Sequence, residues 1–173
     1  MAAEDAVLKR ILPHSVEAEQ SVIGSMIMDK EAIVTASEIV SEDDFYNKQY
    51  GILFQAMVDL NEEGKPVDLV TLQNRLKEMA APPEVSSLEF VRDLISAVPT
   101  SANVKYYATI VAEKATLRKL IRTNEEVINS CYLGKDSLEL ILDEAEKNIF
   151  KITQKRNTGE YVPIKQVVLN AME

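Results

Sequence analysis

An all-α fold is predicted for this chain, and three observations predict it. Apolar residues recur at steps of three and four along most of the 173 residues, which is the period of a helix with one buried face. No stretch alternates apolar and polar residues between turn residues, as a half-buried strand would. Ser, Asp, Gly and Pro stand where helices start and stop. The architecture expected is a small globular helical bundle, then a long antiparallel helical hairpin, then the start of a linker helix. Its divisions are an N-terminal tail over 1–13, a head over 14–102, the hairpin over 103–154, a linker over 155–162 and a last helix from 163 to 173.

The first helix opens at Ser15, after Pro13, with Glu17 and Glu19 near the positive end of its dipole. Val16, Ile23, Met26 and Ile27 are its expected buried residues. Asp29 caps a short second helix carrying Ile33, Val34 and Ile39. A turn over Ser41 to Asp44 leads to a third helix from about Asn47 to Asn61. There Tyr50, Leu53, Phe54, Met57 and Leu60 share one face, and Gly64 and Pro66 end it. Asp68 opens a fourth helix with Leu72, Leu76 and Met79 on one side. Pro82-Pro83 breaks the chain. Ser86 and Glu89 have the spacing of a capping box for a fifth helix over Val91, Leu94 and Ile95 that stops before Pro99.

After Pro99 the grammar changes. From Asn103 to Leu133 there is neither Pro nor Gly. At ~1.5 Å per residue such a helix is about 45 Å long. Tyr107, Ile110, Leu117, Ile121, Ile128 and Cys131 follow a heptad seam. Gly134 stops it, and Asp136 or Ser137 caps a second helix to about Thr153, with Leu138, Leu142, Ala145, Ile149 and Ile152 in the same rhythm. Two seamed helices joined by a tight turn predict an antiparallel hairpin. One seam packs the partner helix; the other needs a further partner, and a second copy of the hairpin is the economical choice. Lys155 to Tyr161 is polar. Pro163 begins a last pattern of Ile164, Val167, Val168, Ala171 and Met172, expected to dock on something beyond Glu173.

Composition narrows the function. The net charge is -9 at pH 7, with a pI near 4.8, which argues against a phosphate-gripping surface. Cys131 is the single cysteine and His14 the single histidine, so a disulfide or a zinc site of the usual kind is excluded by count. His14 reads as a residue near a helix start. Glu42, Asp43 and Asp44 read as a capped, solvated turn. Glu17 and Glu19 lie two apart and face different ways, so they make no acid–base pair. Lys105, Lys114, Arg118, Lys119 and Arg122 form one basic strip, readable as the solvated face of a long helix or as a site for an acidic partner. No apolar run reaches the roughly 20 residues of a membrane span, and the N-terminus carries no signal-peptide pattern; a cytoplasmic location is expected.

Five segments resemble, in order, the N-terminal region of the DnaB-type replicative DNA helicases. They are PHSVEAEQSVIGSMIMD from Pro13, DDFYNKQYGILFQAM from Asp43, PVDLVTLQNRL from Pro66, VPTSANVKYYATIVAEKATLRKLI from Val98 and ILDEAEKNIFKIT from Ile141. The resemblance covers residues 11 to 173. It implies a hexameric ring whose N-terminal domains pair through their hairpins, as a trimer of dimers, and recruit the C-terminal domain of primase, with a loader as a further partner. It implies that ATP and Mg belong to a motor domain outside this chain. Neither Gly64-Lys65 nor Gly134-Lys135 makes a phosphate loop, so this part is expected to be no enzyme and to hold no cofactor or metal. Pro82-Pro83 departs from the Gly-rich turn of many relatives.

On that resemblance Tyr107, Ile110, Leu117, Ile128, Leu138, Leu142 and Ile149 are the expected self-association residues. Phe90, Ile121 and Val127 are the expected primase-facing residues, and Ile164, Val167 and Val168 dock the linker helix. Two other functions fit the sequence less well. One is the helicase-binding domain of a primase, which shares this fold. The other is a single-stranded DNA-binding module.

Overall fold

The structure, a computed structural model, describes residues 9–98 and 103–157, with residues 4 and 171 as isolated positions. Among the described residues there are seven α-helices and one 3-10 turn and no strand. The helices are α1 Val16–Met28, α2 Lys30–Ile39, α3 Lys48–Glu62, α4 Leu69–Glu78, α5 Leu88–Ser96, α6 Val104–Leu133 and α7 Leu138–Asn157. The chain divides into two compact units, Met1–Arg118 and Lys119–Glu173. The division falls inside α6, beyond the boundary expected at 102/103. Ile164, Val167 and Val168 lie outside the described residues.

The first unit is built around one core. Ile23 and Met26 of α1, Ile33 of α2, Leu53 and Met57 of α3, Leu72 and Leu76 of α4, and Val91 of α5 are fully buried in it. Burying each such side chain contributes about 1.5–3 kcal/mol. Val104, Ala108 and Val111 bring the first half of α6 into the same core. Small residues allow close crossings. A Cβ on Gly24 would meet Val98 Cγ2 at 2.5 Å and the Leu94 carbonyl at 3.0 Å, and one on Gly51 would meet the Glu42 carbonyl at 2.8 Å.

The helix starts follow their caps. Ser15 Oγ accepts from the Ala18 amide, Asp29 from Glu31, Asn47 from Gln49, and Asp68 from Val70 and Thr71. Several expectations are corrected. Val16 and Met79 are exposed rather than buried, because each lies at the edge of its apolar stripe or at a helix end. The fifth helix is capped by Ser87, whose Oγ accepts from Phe90 N at 3.1 Å, not by Ser86. Ser86 bonds backward to the Pro83 carbonyl instead. Finally, α7 continues to Asn157, through the position where the polar linker was expected to begin at Lys155.

Helix ends at Gly64 and Ala80 share one motif. The Gly64 amide donates to Asn61 O and that of Lys65 to Leu60 O; the Ala80 amide donates to Lys77 O and that of Ala81 to Leu76 O. This is the Schellman geometry, which needs a left-handed residue. Gly64 has φ +70 and Ala80 has φ +52, so only the second is strained.

In the second unit, the end of α6 and α7 flank one shallow groove. It is lined by Val127 and Ser130 from α6 and by Leu140, Ile141, Ala145 and Asn148 from α7, with acidic residues at its edges. Residues 126–130 thus lie beside 140–148, as an antiparallel pair requires. Gly134, at φ +58, makes the turn, and Ser137 Oγ accepts from Leu140 N at 3.2 Å to cap α7.

Candidate protein interaction site

Two side chains that look like surface charges in the sequence tie the first unit together. Glu19 is 2% exposed and Arg118 5% exposed. Glu19 accepts from Tyr46 N at 3.2 Å and Asn47 N at 3.0 Å. Arg118 donates through Nη1 to the Pro13 carbonyl at 2.8 Å and through Nη2 to the Asp44 carbonyl at 2.6 Å. Its guanidinium also lies 5.7 Å from the Tyr46 ring centre, and that ring stacks on His14 at 4.0 Å. Burial raises the Glu19 carboxyl above its ordinary value. The Asn47 and Tyr46 amides and then the Arg118 and His14 charges oppose that rise. Arg118 is therefore not a member of a basic strip, because its planar fork is consumed by two buried carbonyls. Lys105 and Arg122 are exposed and Lys114 and Lys119 half-buried, which leaves the strip interrupted at its middle.

Acidic groups elsewhere are likewise structural. Asp44 Oδ2 accepts from Ser41 N at 2.9 Å and is buried, while Glu42 and Asp43 are exposed. Glu63 receives Arg75 at 2.6 Å and Lys65 at 2.7 Å. Those hydrogen bonds hold its carboxyl at about 2. No three-residue group that could hold a metal is found among the described residues.

The expected interaction residues fall into three settings. Tyr107 and Ile110 pack, half-buried, against the core of the first unit. Phe90 does the same and stacks on Tyr50 at 6.0 Å. Ile121 and Val127 are half-buried in the second unit, and Val127 lines the groove. Leu117, Ile128, Leu138, Leu142 and Ile149 are exposed, Leu138 at 72% and Leu142 at 55%.

A different inner seam emerges in the second unit. Half-buried positions are Lys119, Leu120, Ile121, Thr123, Val127 and Ser130 on α6, and Ile141, Ala145, Asn148 and Ile152 on α7. The expected heptad seam is therefore kept only in part: Ile121, Ala145 and Ile152 are half-buried, whereas Ile128, Leu138, Leu142 and Ile149 are exposed, as are Tyr132, Leu133, Leu140 and Phe150. Among the described residues from Lys119 onward, none is buried. Large exposed apolar patches on a folded chain mark interaction surfaces.

The fold and these placements define an all-helical chain with a cored head and a two-helix unit that exposes apolar residues. The model of the DnaB-like helicase N terminal domain matches residues 11–113. Replicative DNA helicase DnaB of Geobacillus stearothermophilus is 39% identical over 165 residues, which take in 95% of this chain and 36% of that protein. Replicative DNA helicase DnaC of Bacillus subtilis is 38% identical over 169 residues, 98% of this chain and 37% of that protein. The crystal structure of the N-terminal domain of DnaB helicase from Mycobacterium tuberculosis superposes with a TM-score of 0.76 at 35% identity, covering 80% of this chain and 98% of that one. The N-terminal domain of DnaB from Helicobacter pylori, described with its interactions with primase, shares the fold at a TM-score of 0.59 and 18% identity, covering 67% of this chain and 90% of that one. The chain belongs to the DnaB-like helicase N-terminal domain family. It spans a little over a third of the length of these curated relatives.

Proposed function

We propose that this chain is the assembly and primase-recruiting region of a hexameric replicative DNA helicase that unwinds duplex DNA in the cytoplasm. The observation that carries the reading is the second unit. It has no buried residue among those described, yet it exposes Ile128, Leu138, Leu142 and Ile149. Apolar area left in water forfeits roughly 25 cal/mol per Å², so a partner that covers it is strongly favoured. A second copy supplies the same face, and a two-fold pairing closes on itself.

Neither Gly64-Lys65 nor Gly134-Lys135 makes a phosphate loop. Gly64 and Gly134 both terminate helices in the left-handed conformation, and Pro66 and Asp136 stand where a phosphate loop needs Ser or Thr after its lysine. We place the ATP and Mg chemistry of the whole protein in the length of the relatives that this chain does not span. Phe90, Ile121 and Val127 remain the proposed primase-facing residues, Ile164, Val167 and Val168 the proposed linker contacts, and a loader a further proposed partner.

Sedimentation equilibrium tests the assembly reading. The chain should be dimeric or larger at tens of micromolar, and Ile128→Asp with Leu142→Asp should make it monomeric with its helix content kept. A monomer at every concentration would end this account. Titration with the C-terminal domain of primase tests the second part. Ile121→Asp should weaken binding at least about ten-fold, a loss typical of an interface anchor; unchanged affinity would remove that residue from the site.

A further inference from the structure

The face of α6 that docks on the head is a stripe of buried residues, Val104, Ala108, Val111, Ala115 and Arg118, at alternating steps of four and three. The apolar core does not follow that stripe to its end. Val111 is the last α6 residue of the core cluster, and Ala112 packs against it. Beyond that point the buried face offers the methyl of Ala115 and the guanidinium of Arg118. One methyl holds a helix weakly, so the docking of residues 113–118 depends on what Arg118 binds. It binds the Pro13 and Asp44 carbonyls. The Pro13 segment stays at the surface: Ile11 is exposed, and Leu12, Pro13, His14 and Ser15 are half-buried, none of them in the core cluster. His14 stacks on Tyr46, itself 44% exposed, and its Nδ1 donates to the Leu12 carbonyl at 2.7 Å. A surface segment and the last docked turns of α6 thus hold each other, outside the core. The compact head unit ends at the same residue, Arg118.

We infer that residues 11–15 are a releasable strap that sets how far α6 is docked on the head. Closed, the strap extends the dock from Ala112 to Arg118. Open, α6 keeps its apolar dock alone and comes free from residue 113 onward. The device works in both directions. Drawing the N-terminal segment away loosens α6 almost two turns earlier, and lifting residues 113–118 from the head frees the segment. That reciprocity is a thermodynamic necessity, because each of two coupled elements stabilises the other by the same free energy. An event at the N-terminus therefore reaches α6 without disturbing the core.

Hydrogen exchange on the full chain, at one low protein concentration, tests it. Arg118→Met keeps a long side chain and removes both donors. Amides of residues 113–118 should then exchange about ten- to hundred-fold faster, the loss expected for hydrogen bonds to a charged group, while those of α1 and α3 keep their protection. A second variant leaves α6 untouched. Pro13→Gly with His14→Gly removes the stack and gives the strap more freedom to lose on closing. It should speed exchange of residues 113–118 at least about five-fold, although neither substituted residue lies on α6. The two variants combined should exchange little faster there than Arg118→Met alone, because both open one latch and their effects cannot add. Exchange of residues 113–118 that ignores the strap variant overturns the inference, as do effects that add in full. A loss of protection shared equally by α1, α3 and α6 in both variants overturns it too, since Arg118 and the strap would then be ordinary parts of the cooperative core.

Discussion

Arg118 reaches carbonyls 105 and 74 residues away in sequence, and Glu19 reaches amides 27 and 28 residues away. Together they clamp the segment before α1 and the loop before α3 onto the middle of α6. Such a buried charged set is sensitive to one-atom changes, because an unsatisfied buried donor costs about 1–3 kcal/mol. Glu19→Ala leaves the Tyr46 and Asn47 amides without their buried acceptor, so it should destabilise the head by about 1–3 kcal/mol in urea unfolding. The pH dependence has a definite sign. Burial sets the Glu19 carboxyl above its ordinary 4.5, so its contribution is complete below that value and is lost as pH rises through the folded value. The stability gap between native chain and variant should thus be largest below pH 4.5 and shrink toward pH 7. A gap that widens with pH would mean that the amides and Arg118 outweigh burial. Glu63 runs the other way: its ion pairs, held at about 2, are present above the ordinary range and are lost only as pH falls through that low value.

Helices α4 and α3 end in the same hydrogen-bonded motif with different residues in the left-handed place. An alanine there carries roughly 1 kcal/mol of strain that glycine avoids. Ala80→Gly should therefore raise the melting temperature slightly, by up to about 0.5 kcal/mol of stability after the entropy of glycine is counted, and Gly64→Ala should lower it by a similar amount. Equal and opposite responses would confirm that the turn, not local packing, sets both ends; no Cβ neighbour lies within 4 Å of Gly64. The comparison also shows what a sequence can carry at this scale. Ser15, Asp29, Asn47, Asp68 and Gly64 announce their helix ends because local chemistry alone makes the cap. Ala80 announces nothing, since alanine has no turn preference. Ser87 was hidden by a neighbouring serine at an equally good spacing. The seam of α6 was misplaced for a different reason. Its first half faces a core built from α1 to α5 and its second half faces α7, so one helix serves two partners with two periods. Arg118 was illegible because the carbonyls that bury it belong to distant segments.

At the scale of the whole chain, the two units are stabilised by different means. Met1–Arg118 holds a continuous core in which Ile23, Ile33, Leu53, Met57 and Leu76 are wholly excluded from water. Lys119–Glu173 has only half-buried contacts between its helices in the described part, and isolated helix pairs of this size are marginal without tertiary cover. Opening free energy should then differ between them. In dilute solution, amides of α7 and of α6 beyond Lys119 should exchange with deuterium far faster than those of α1 and α3. Raising the protein concentration should protect the former and leave the latter unchanged, because binding that favours one state stabilises it by mass action. A hundred-fold excess over the dissociation constant corresponds to ~2.7 kcal/mol, or about two decades of protection. The Ile128→Asp and Leu142→Asp chain should lose that concentration dependence and keep the protection of its head. Slow exchange in α7 at every concentration would mean that the helix pair is sealed by its own chain, and the open apolar face would then need no second molecule.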